Sequence, residues 1–488
     1  MEGSTLVRRP ALARVRALDP DTLARVAFAL LCAGFAIGFL VYPTYPNYDS
    51  YYSLLWAREV LDLQSPYFDG FRTPTEHPLA IAAGMLLAPF GDGADRLWIA
   101  AIFASYLWLV WGVYRLGRVA FTPLVGAVAA ALLLTRFDIA FLAARGYIDV
   151  PYMALVVWAA VLEAGRPRRG VPVLLLLAAA GMLRPEAWVL AGLYWLWLAW
   201  RASWRERLLY AALAAVGPLV WTMVDLAVTG NPLFSLLYTS GSAEDLGRQR
   251  PLSELPLAVP EFLANIVKLP VLVASVLGLG IAVAAAPRRM LMPFVLLASG
   301  IGTFVLIGIA GASVIERYLT VAAVALLVFA GVFFAGFTML RPGRLRSWWM
   351  VASAVLIAGG VALTATQVRL GYFDSELRFR GAAHDELTRV LESGAVQRGL
   401  RCGPLTVPNH KLVPDARWIL DAPREAVIPR ADEDARRPRR GVALVVTSRY
   451  AIFKHAWSSE TDSPLIQSPP PGFRRIATSD FYAAYARC

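Results

Sequence analysis

Two aspartates, Asp49 and Asp149, each stand near tyrosines beside a long apolar run. Asp49 lies in the stretch NYDSYYSLLWAREV, between Tyr48 and Tyr52, and Asp149 lies in RGYIDVPY, four residues after Arg145. A carboxylate that is partly removed from water has a raised pKa, which suits a general base. We therefore predict that the two carboxylates face one cleft. Asp149 also suits a helix N-cap, which leaves a purely structural role open.

Further charged residues lie at the ends of other apolar runs. Arg184 and Glu186 follow a short run, so both are expected within membrane depth, where ionisable side chains are costly and often functional. Arg248 lies in a long polar loop, and Arg317 precedes Tyr318 in ASVIERYLTV. These arginines could hold an anionic phosphate. Alternatively, the charged side chains pair with neighbours, are solvated, or anchor helix ends at the interface.

Glu76 and His77 are adjacent in RTPTEHP. A carboxylate beside an imidazole could bind a divalent metal or donate protons. The same residues also fit the start of a helix, because Pro78 suits the first helical position. Both interpretations stay open at this stage.

The segment that follows Asp49 has the spacing of an amphipathic helix over 50–63. Its apolar positions are Leu54, Leu55, Val60 and Leu61. Tyrosines and tryptophan at this spacing suit the headgroup region of a bilayer. We predict a helix on the outer membrane interface, with Arg58 on its polar side.

The chain of 488 residues is 58% hydrophobic and only 17% charged. Soluble proteins are about 45–50% apolar and about 25% charged, so the composition indicates a polytopic helical membrane protein. The net charge of +12 comes mainly from arginines in short loops, which argues against nucleic-acid binding. The chain has only three lysines, a bias typical of a GC-rich, actinobacterial genome. Because the sequence has no P-loop, GxGxxG, CxxC or HExxH motif, ATPases, nicotinamide enzymes and common zinc proteins are disfavoured.

We predict eleven membrane spans. They cover 23–42, 97–114, 119–135, 150–164, 171–183, 187–200, 208–228, 260–286, 291–311, 318–340 and 349–370. The run 78–90 is shorter than the roughly 20 residues of a span and is predicted to be interfacial or re-entrant. With 78–90 excluded, the arginine-rich loops fall on one side, as the positive-inside rule requires. The N terminus, with Arg8, Arg9, Arg14 and Arg16, is then cytoplasmic and the C terminus extracytoplasmic.

Three parts of the chain follow from this topology. A cytoplasmic segment covers 1–21, a transmembrane domain covers 22–370, and an extracytoplasmic α/β domain covers 371–488. The first outer loop, 43–96, carries the interfacial helices.

The last domain shows both helical and strand patterns. The spacing predicts a helix over 382–396, strands in GVALVVTS, GFRRIATS and FYAAYARC, and a loop over 423–440. Cys402 and Cys488 both lie in this domain, and outside the cell they could form a disulfide.

With these motifs in order, the sequence resembles the GT-C superfamily of integral membrane glycosyltransferases, including protein O-mannosyltransferases and the lipid A aminoarabinose transferase. NYDSYYSLLWAREV resembles the first acidic loop, RGYIDVPY the second acidic loop, and ERYL an Arg–Tyr motif late in the bundle. TEHPLA stands where relatives carry a PPL segment. The resemblance covers roughly residues 20–340 and departs from the family in having HPL for PPL and in lacking the tryptophan-rich motif of oligosaccharyltransferases.

The resemblance implies a GT-C helical fold of about 11 spans and an inverting transfer from a polyprenyl-phosphate sugar to an acceptor hydroxyl of a glycolipid, polysaccharide or protein. Asp49 and Asp149 would be catalytic. The implied substrate-binding residues are Tyr48, Tyr52, Arg58, Arg145, Arg184, Glu186, Arg248, Arg317 and Tyr318. No cofactor is required, although Glu76 and His77, with Asp149, could bind Mg²⁺, Mn²⁺ or Ca²⁺. The protein would lie in the inner or plasma membrane, with membrane lipids as neighbours.

Two other classes of function stay open. A transporter or flippase of lipid-linked sugars would also need buried charges, but the sequence has no evident inverted repeat or paired broken helices. A membrane-anchored glycan-binding protein would need fewer spans than eleven and would have no use for acids at their ends.

Overall fold

A computed structural model describes residues 19–245, 247–367, 370–435, 438–454 and 468–488. The four N-terminal arginines on which the predicted cytoplasmic N terminus depends lie outside these residues, as does most of the predicted segment 1–21.

The apolar part of the chain is helical. Its helices are α1 (Pro20–Val41), α2 (Tyr48–Leu61), α3 (Pro78–Leu87), α4 (Ala94–Ala120), α5 (Pro123–Leu134), α6 (Phe137–Ala144), α7 (Asp149–Gly165), α8 (Val171–Gly181), α9 (Glu186–Ala199), α10 (Trp204–Thr229), α11 (Phe234–Asp245), α12 (Leu255–Val267), α13 (Leu269–Ala285), α14 (Leu291–Ile309), α15 (Thr320–Ala335) and α16 (Arg344–Gln367). Within the described residues, six helical stretches are long and apolar enough to cross a membrane, or eight if each of two bent pairs is one span. The chain is therefore a multi-pass membrane protein, and the count of eleven stays a prediction.

The prediction of one continuous span over 260–286 is wrong. α12 and α13 meet there at a bend of 108°. Lys268 has a left-handed backbone at the bend (φ +69°), and Pro270 follows it in the first turn of α13. Proline lacks the amide proton that a continuing helix needs, so the helix stops and restarts. The run 78–90 contains α3, which joins α4 through a 3-10 turn; its exclusion from the spans stays a prediction.

Helix α15 lies at the centre of the bundle. All of its residues from Thr320 to Val332 are buried, whereas α1 has no buried residue. Glycines let three neighbouring helices approach α15 closely. Gly278 on α13 faces Phe329 and Gly300 on α14 faces Ala322, while Gly331 on α15 itself faces the Val125 carbonyl of α5. Close approach at small residues is the usual way in which membrane helices gain contact, since lipid is as apolar as leucine.

The C-terminal part is a small α/β unit. Its helices are α17 (Leu370–Leu391), α18 (Gly394–Leu400), α19 (Val413–Leu420) and α20 (Arg449–Lys454), and its strands are β1 (Leu405–Val407), β2 (Val427–Pro429), β3 (Gly441–Val446), β4 (Arg474–Thr478) and β5 (Tyr482–Arg487). The sheet order is β2-β1-β3-β5-β4, parallel across β2, β1 and β3 and antiparallel across β3, β5 and β4. Cys402 and Cys488 are joined by a disulfide.

The strand predictions for GVALVVTS, GFRRIATS and FYAAYARC are confirmed as β3, β4 and β5. The helix over 382–396 is confirmed in part, since α17 begins at Leu370 and ends at Leu391. Two short strands were not predicted. One of them, β2, lies inside the predicted loop 423–440, because three residues are too few for an alternating pattern to show.

The helix predicted after Asp49 is confirmed as α2, and its location at the membrane interface stays a prediction, but the helix is not exposed as that location suggests. Every residue of α2 from Ser50 to Ala57 is buried, because α3 packs on one side and α19 covers the other. Arg417 of α19 donates to the Glu59 carboxylate at 2.7 Å. Of the aromatic residues that the sequence pattern assigns to the headgroup region, Tyr51 packs on Trp418 of the C-terminal unit, whereas Tyr52 and Trp56 pack with Phe68 and Ile81.

The approach of α13 to α15 is directly testable. A Cβ at Gly278 would overlap the Phe329 carbonyl oxygen, whereas a Cβ at Gly280, two residues later and on nearly the opposite face of the helix, meets nothing within 4 Å. We expect Gly278→Ala to destabilise the bundle by about 1–3 kcal/mol, the usual cost of overpacking. Gly280→Ala on the same helix should be neutral or slightly stabilising. Thermal unfolding of both variants in detergent would measure the difference, and equal melting temperatures would contradict the packing.

Candidate active site

A cavity of about 1480 Å³ lies between the ends of the helices and the C-terminal unit. Its charged lining residues are Asp49, Arg72, Arg145, Asp149, Arg184, Glu186, Arg248, Arg317, Glu376, Arg380, Lys411 and Asp415. Apolar side chains of α11 and α14, among them Leu236, Leu237, Leu306 and Ile307, line another part. The cavity therefore combines an apolar wall with a dense set of cations and carboxylates.

Asp49 lies in the first turn of α2 and faces Arg317. An Arg317 Nη1 to Asp49 Oδ2 distance of 3.6 Å joins two residues that are 268 positions apart. The start of α2 is fixed by Asn47, whose side chain accepts from the Ser50 amide at 2.8 Å, and by the Ser50 hydroxyl, which donates to the Gly146 carbonyl at 2.7 Å. Burial raises the pKa of Asp49, and the nearby Arg317 guanidinium opposes this rise.

Arg184 is held between two carboxylates. It contacts Asp149 at 2.5 Å and Glu186 at 3.1 Å, and all three side chains are buried. Both of the alternatives left open for Arg184 thus occur together: it pairs with Glu186 and it also lines the cavity. The N-cap role suggested for Asp149 is wrong, because Ile148 is the N-cap of α7 and the Asp149 side chain turns to Arg184 instead.

A second group of cations surrounds Tyr48 at another part of the cavity. The Tyr48 hydroxyl donates to the Arg72 carbonyl, and its ring packs edge-on against His410. Arg248 and Lys411 also line the cavity here, and both act electrostatically on His410. Burial lowers the pKa of His410 to about 3, so the imidazole is neutral and the positive charge belongs to the arginines and the lysine.

Several predicted site residues meet at this cavity and others do not. Tyr48, Asp49, His77, Arg145, Asp149, Arg184, Glu186, Arg248, Arg317 and Tyr318 line it. Tyr52 does not, since it packs on Trp56 in a separate apolar cluster. Arg58 stacks on Trp418, with its guanidinium 3.4 Å from a ring centroid, and pairs with Asp421. Tyr52 and Arg58 therefore lie outside this cavity, and their substrate-binding role stays a prediction.

Glu76 and His77 point to different surroundings. His77 is the N-cap residue before Pro78 of α3, which confirms the helix-start interpretation. The Ser235 hydroxyl lies within hydrogen-bond distance of both the Glu76 and the Asp225 carboxyl groups, at 2.6 Å from Asp225, and its single proton can be donated to only one of them. Burial, together with the adjacent Asp225, raises the pKa of Glu76 to about 9. Among the described residues no group of three His, Cys, Asp or Glu side chains could hold a metal ion, so this pair does not fit the metal site suggested for it.

The sequence analysis missed every cavity residue of the C-terminal unit. Glu376, Arg380, His410, Lys411 and Asp415 all line the cavity. Glu376 lies 3.7 Å from Arg145 across the cavity edge. A signal was present in the sequence: Glu376, Arg380 and the nearby His384 are spaced four residues apart, which places them on one face of a helix.

The fold can be compared with solved structures. No family model and no curated protein matches the sequence. ArnT from Cupriavidus metallidurans, in the crystal structure bound to undecaprenyl phosphate, superimposes with a TM-score of 0.54 at 14% identity, over 95% of this chain and 98% of that chain. The apo form of the same ArnT gives 0.54 at 15% identity, over 96% and 98%.

The chain has the GT-C fold. This confirms the predicted fold class, a helical GT-C membrane domain followed by a small C-terminal α/β unit. The agreement runs over nearly the whole of both chains, so the C-terminal unit is included in the GT-C likeness.

The Arg184 group gives a testable expectation about stability. Removing the cation would leave two carboxylates buried side by side, so we expect Arg184→Gln to destabilise the protein by about 3–5 kcal/mol. Arg250→Gln is a suitable control, because Arg250 is 4.0 Å from Glu261 and both side chains are exposed. Such a surface pair contributes at most about 1 kcal/mol. Unfolding of both variants in detergent measures the contrast, and similar losses would contradict the burial of the Arg184 group.

Proposed function

We propose that this protein is an inverting glycosyltransferase. It moves a sugar from a polyprenyl-phosphate donor to an acceptor hydroxyl of a glycolipid, a cell-envelope polysaccharide or a protein. The carrying observation is the Asp49–Arg317 pair, which brings a carboxylate of raised pKa and a cation to one cavity that also has an apolar wall. ArnT, which shares the fold, is bound to undecaprenyl phosphate in its crystal structure, and this supports a lipid phosphate as the leaving group.

The two chemical parts of the donor, its polyprenyl chain and its phosphate, each have suitable residues in the cavity. The polyprenyl chain needs apolar contact, which the leucines and isoleucine of α11 and α14 offer. The phosphate needs cations at the cavity wall. Arg184 is enclosed by Asp149 and Glu186, so we assign the phosphate role to Arg317, and the cations around Tyr48 add positive charge to the same cavity.

Arg317 suits that role for a second reason. Its Nε is buried and has no hydrogen-bond partner among the described residues, while its Nη1 approaches Asp49 at 3.6 Å, longer than a hydrogen bond. Arg248, which also acts electrostatically on Asp49, and Arg72 and Lys411 add positive charge nearby. A departing phosphate that accepts from Arg317 is stabilised as its charge develops, which is the main electrostatic contribution to such a reaction.

The chemical step is a single displacement at the anomeric carbon. The acceptor oxygen forms a bond to this carbon while its proton passes to Asp49. The bond from the carbon to the phosphate oxygen breaks, and polyprenyl phosphate leaves with the electron pair. Because attack and departure occur on opposite faces, the configuration inverts. Asp149 acts in this scheme through Arg184, by holding its charge, rather than on the acceptor.

The reaction takes place at the outer face of an inner or plasma membrane in this proposal. The N terminus is cytoplasmic and the unit over 371–488 is extracytoplasmic, as the arginine-rich loops predict. The Cys402–Cys488 disulfide supports this orientation, since disulfides persist in oxidising compartments. Membrane lipids surround the helices, and nucleic acid has no part in the function.

The donor requirement can be tested with purified protein in lipid nanodiscs and a panel of labelled polyprenyl-phosphate sugars. We expect turnover of one donor class, and its loss by at least about a hundredfold in Asp49→Asn, the usual contribution of a general base. Asp62→Asn is the matched control, because Asp62 is an exposed carboxylate that follows the end of α2. Native lipid and envelope extracts would supply the acceptor.

Each of the outcomes distinguishes a class of function. Turnover that disappears only in Asp49→Asn supports the transferase. Movement of labelled lipid across vesicles, without release or transfer of sugar, would favour a flippase. Binding of envelope glycans without turnover, unchanged in Asp49→Asn, would favour an anchored binding protein.

The pH dependence of kcat/KM gives a further test of Asp49 as the base. A base must be ionised, so the rate falls as the pH falls through its pKa. Burial raises the pKa of Asp49, so we expect the acid limb to lie above the ordinary aspartate value of about 3.9. A rate that is still full at pH 4 would contradict the assignment. The stability of the protein over the same pH range, measured by thermal unfolding, serves as the control.

A further inference from the structure

One helix of the C-terminal unit presents a polar stripe to the start of α2. Glu376, Arg380 and His384 occur at intervals of four residues on α17, so they share one face of the helix. Each is at least partly buried, although the helix as a whole is rich in charged residues. Polar side chains that are buried or half-buried need partners. Each of these three has a partner in the segment that leads into α2, or in a residue that contacts this segment.

Arg380 makes the most direct contact of the three. Its Nη2 donates to the Pro46 carbonyl and, at 2.7 Å, to the Asp415 carboxylate, while its Nε donates to the Tyr45 carbonyl at 3.4 Å. Asp415 is buried and belongs to α19. One guanidinium therefore connects two helices of the C-terminal unit to the two backbone carbonyls that precede Asn47.

His384 and Glu376 hold the same segment from either side. The His384 ring stacks on Tyr45, with ring centroids 3.6 Å apart, and its Nδ1 lies 3.3 Å from the Tyr51 hydroxyl. Glu376 approaches Arg145 at 3.7 Å, and the Arg145 carbonyl accepts from the Asn47 amide at 2.8 Å. The stripe therefore touches α2 before its N-cap and again one turn after it.

We propose that Glu376, Arg380 and His384 act as a positioning clasp that sets the place of Asp49 relative to Arg317. The inference rests on the proposed function and deepens it, since it makes the C-terminal unit part of the active site rather than an appended module. None of the three residues is assigned to the reacting atoms. They act through the backbone of residues 45–47 and through Tyr51.

The geometry explains why such a clasp is needed. Asp49 is two residues after the N-cap, so its position depends on where α2 begins. The segment before α2 contains two prolines, Pro43 and Pro46, and is not helical. Without external hydrogen bonds this segment has no regular structure to fix it, and a displacement of about 1 Å at a catalytic group can cost about a hundredfold in rate.

The kinetic test compares Arg380→Gln with Arg378→Gln. Arg378 is on the same helix but is exposed and pairs with Asp374. We expect Arg380→Gln to lower kcat about 10–100-fold with little change in the KM of the donor. We also expect the acid limb of the kcat/KM profile of this variant to move to higher pH. If Asp49 moves away from Arg317, the guanidinium lowers the pKa of Asp49 less, while the other charged neighbours, Asp149, Arg184 and Arg248, remain. Arg378→Gln should match the wild type.

A purely structural role for Arg380 would give a different result. Loss of folded protein lowers the apparent kcat without moving the pH profile, and it lowers the melting temperature in proportion. Arg380→Lys should recover part of the rate, since an ammonium keeps the charge but lacks the planar fork that reaches Pro46, Tyr45 and Asp415 together. An unchanged pH profile in Arg380→Gln would overturn the proposal.

A measurement that does not require turnover separates this proposal from the proposed function. Hydrogen–deuterium exchange in nanodiscs reports on the amides of residues 47–52, where Asn47, Ser50 and Tyr51 are hydrogen-bonded. We expect faster exchange there in Arg380→Gln and in His384→Phe than in Arg378→Gln. Faster exchange with a wild type that turns over no donor would retain the clasp and reject the transferase. Unchanged exchange would reject the clasp whatever the activity.

Discussion

The distance between Asp49 and Arg317 is the constraint on which the rest of this structure depends. The two residues come from opposite ends of the membrane part of the chain, one from the first turn of α2 and the other from a 3-10 turn before α15. Neither element holds its charge in place by itself. α15 gives Arg317 a rigid base because it is buried on nearly every side, whereas α2 depends on loops and on the C-terminal unit.

The charged residues around this pair include arginines that form ion pairs with buried carboxylates. Arg184 is matched by two carboxylates, and Arg380 is matched by Asp415. Such buried groups cost desolvation free energy, and pairing offsets that cost. The cations around Tyr48 contribute positive charge to the same cavity from three separate parts of the chain. An anionic ligand in the cavity would therefore meet positive charge at the Arg317 and Tyr48 side.

The motifs that contain Asp49 and Asp149 could be identified from the sequence, because each motif is short and each follows or begins an apolar run. It failed where position along a helix decides which way a side chain faces. Arg58 is nine residues after Asp49, which is about 180° around an α-helix, so it points away from the cavity to Trp418. The bend at Lys268 was also missed, because the run 260–286 was judged by its overall apolar length although Lys268 and Pro270 interrupt it.

The polar stripe of α17 was missed for a different reason. Apolar spacing predicted the helix only from residue 382 onward, so Glu376 and Arg380 fell in the first residues of the predicted α/β domain, to which no element was assigned. Nothing local in the sequence indicates that Arg380 meets Pro46, because the two residues are 334 positions apart. The four-residue spacing of Glu376, Arg380 and His384 indicates a shared helix face, but it does not show which distant segment that face contacts.

The position of β5 has a consequence for the order in which the sheet assembles. β5, residues Tyr482–Arg487, is an inner strand that pairs with both β3 and β4, although it follows both of them along the chain. β4 therefore has no neighbour in the sheet until β5 has been synthesised. The helices α1 to α16 all precede the sheet along the chain. The part of the cavity wall that the C-terminal unit supplies is therefore the last part to be synthesised.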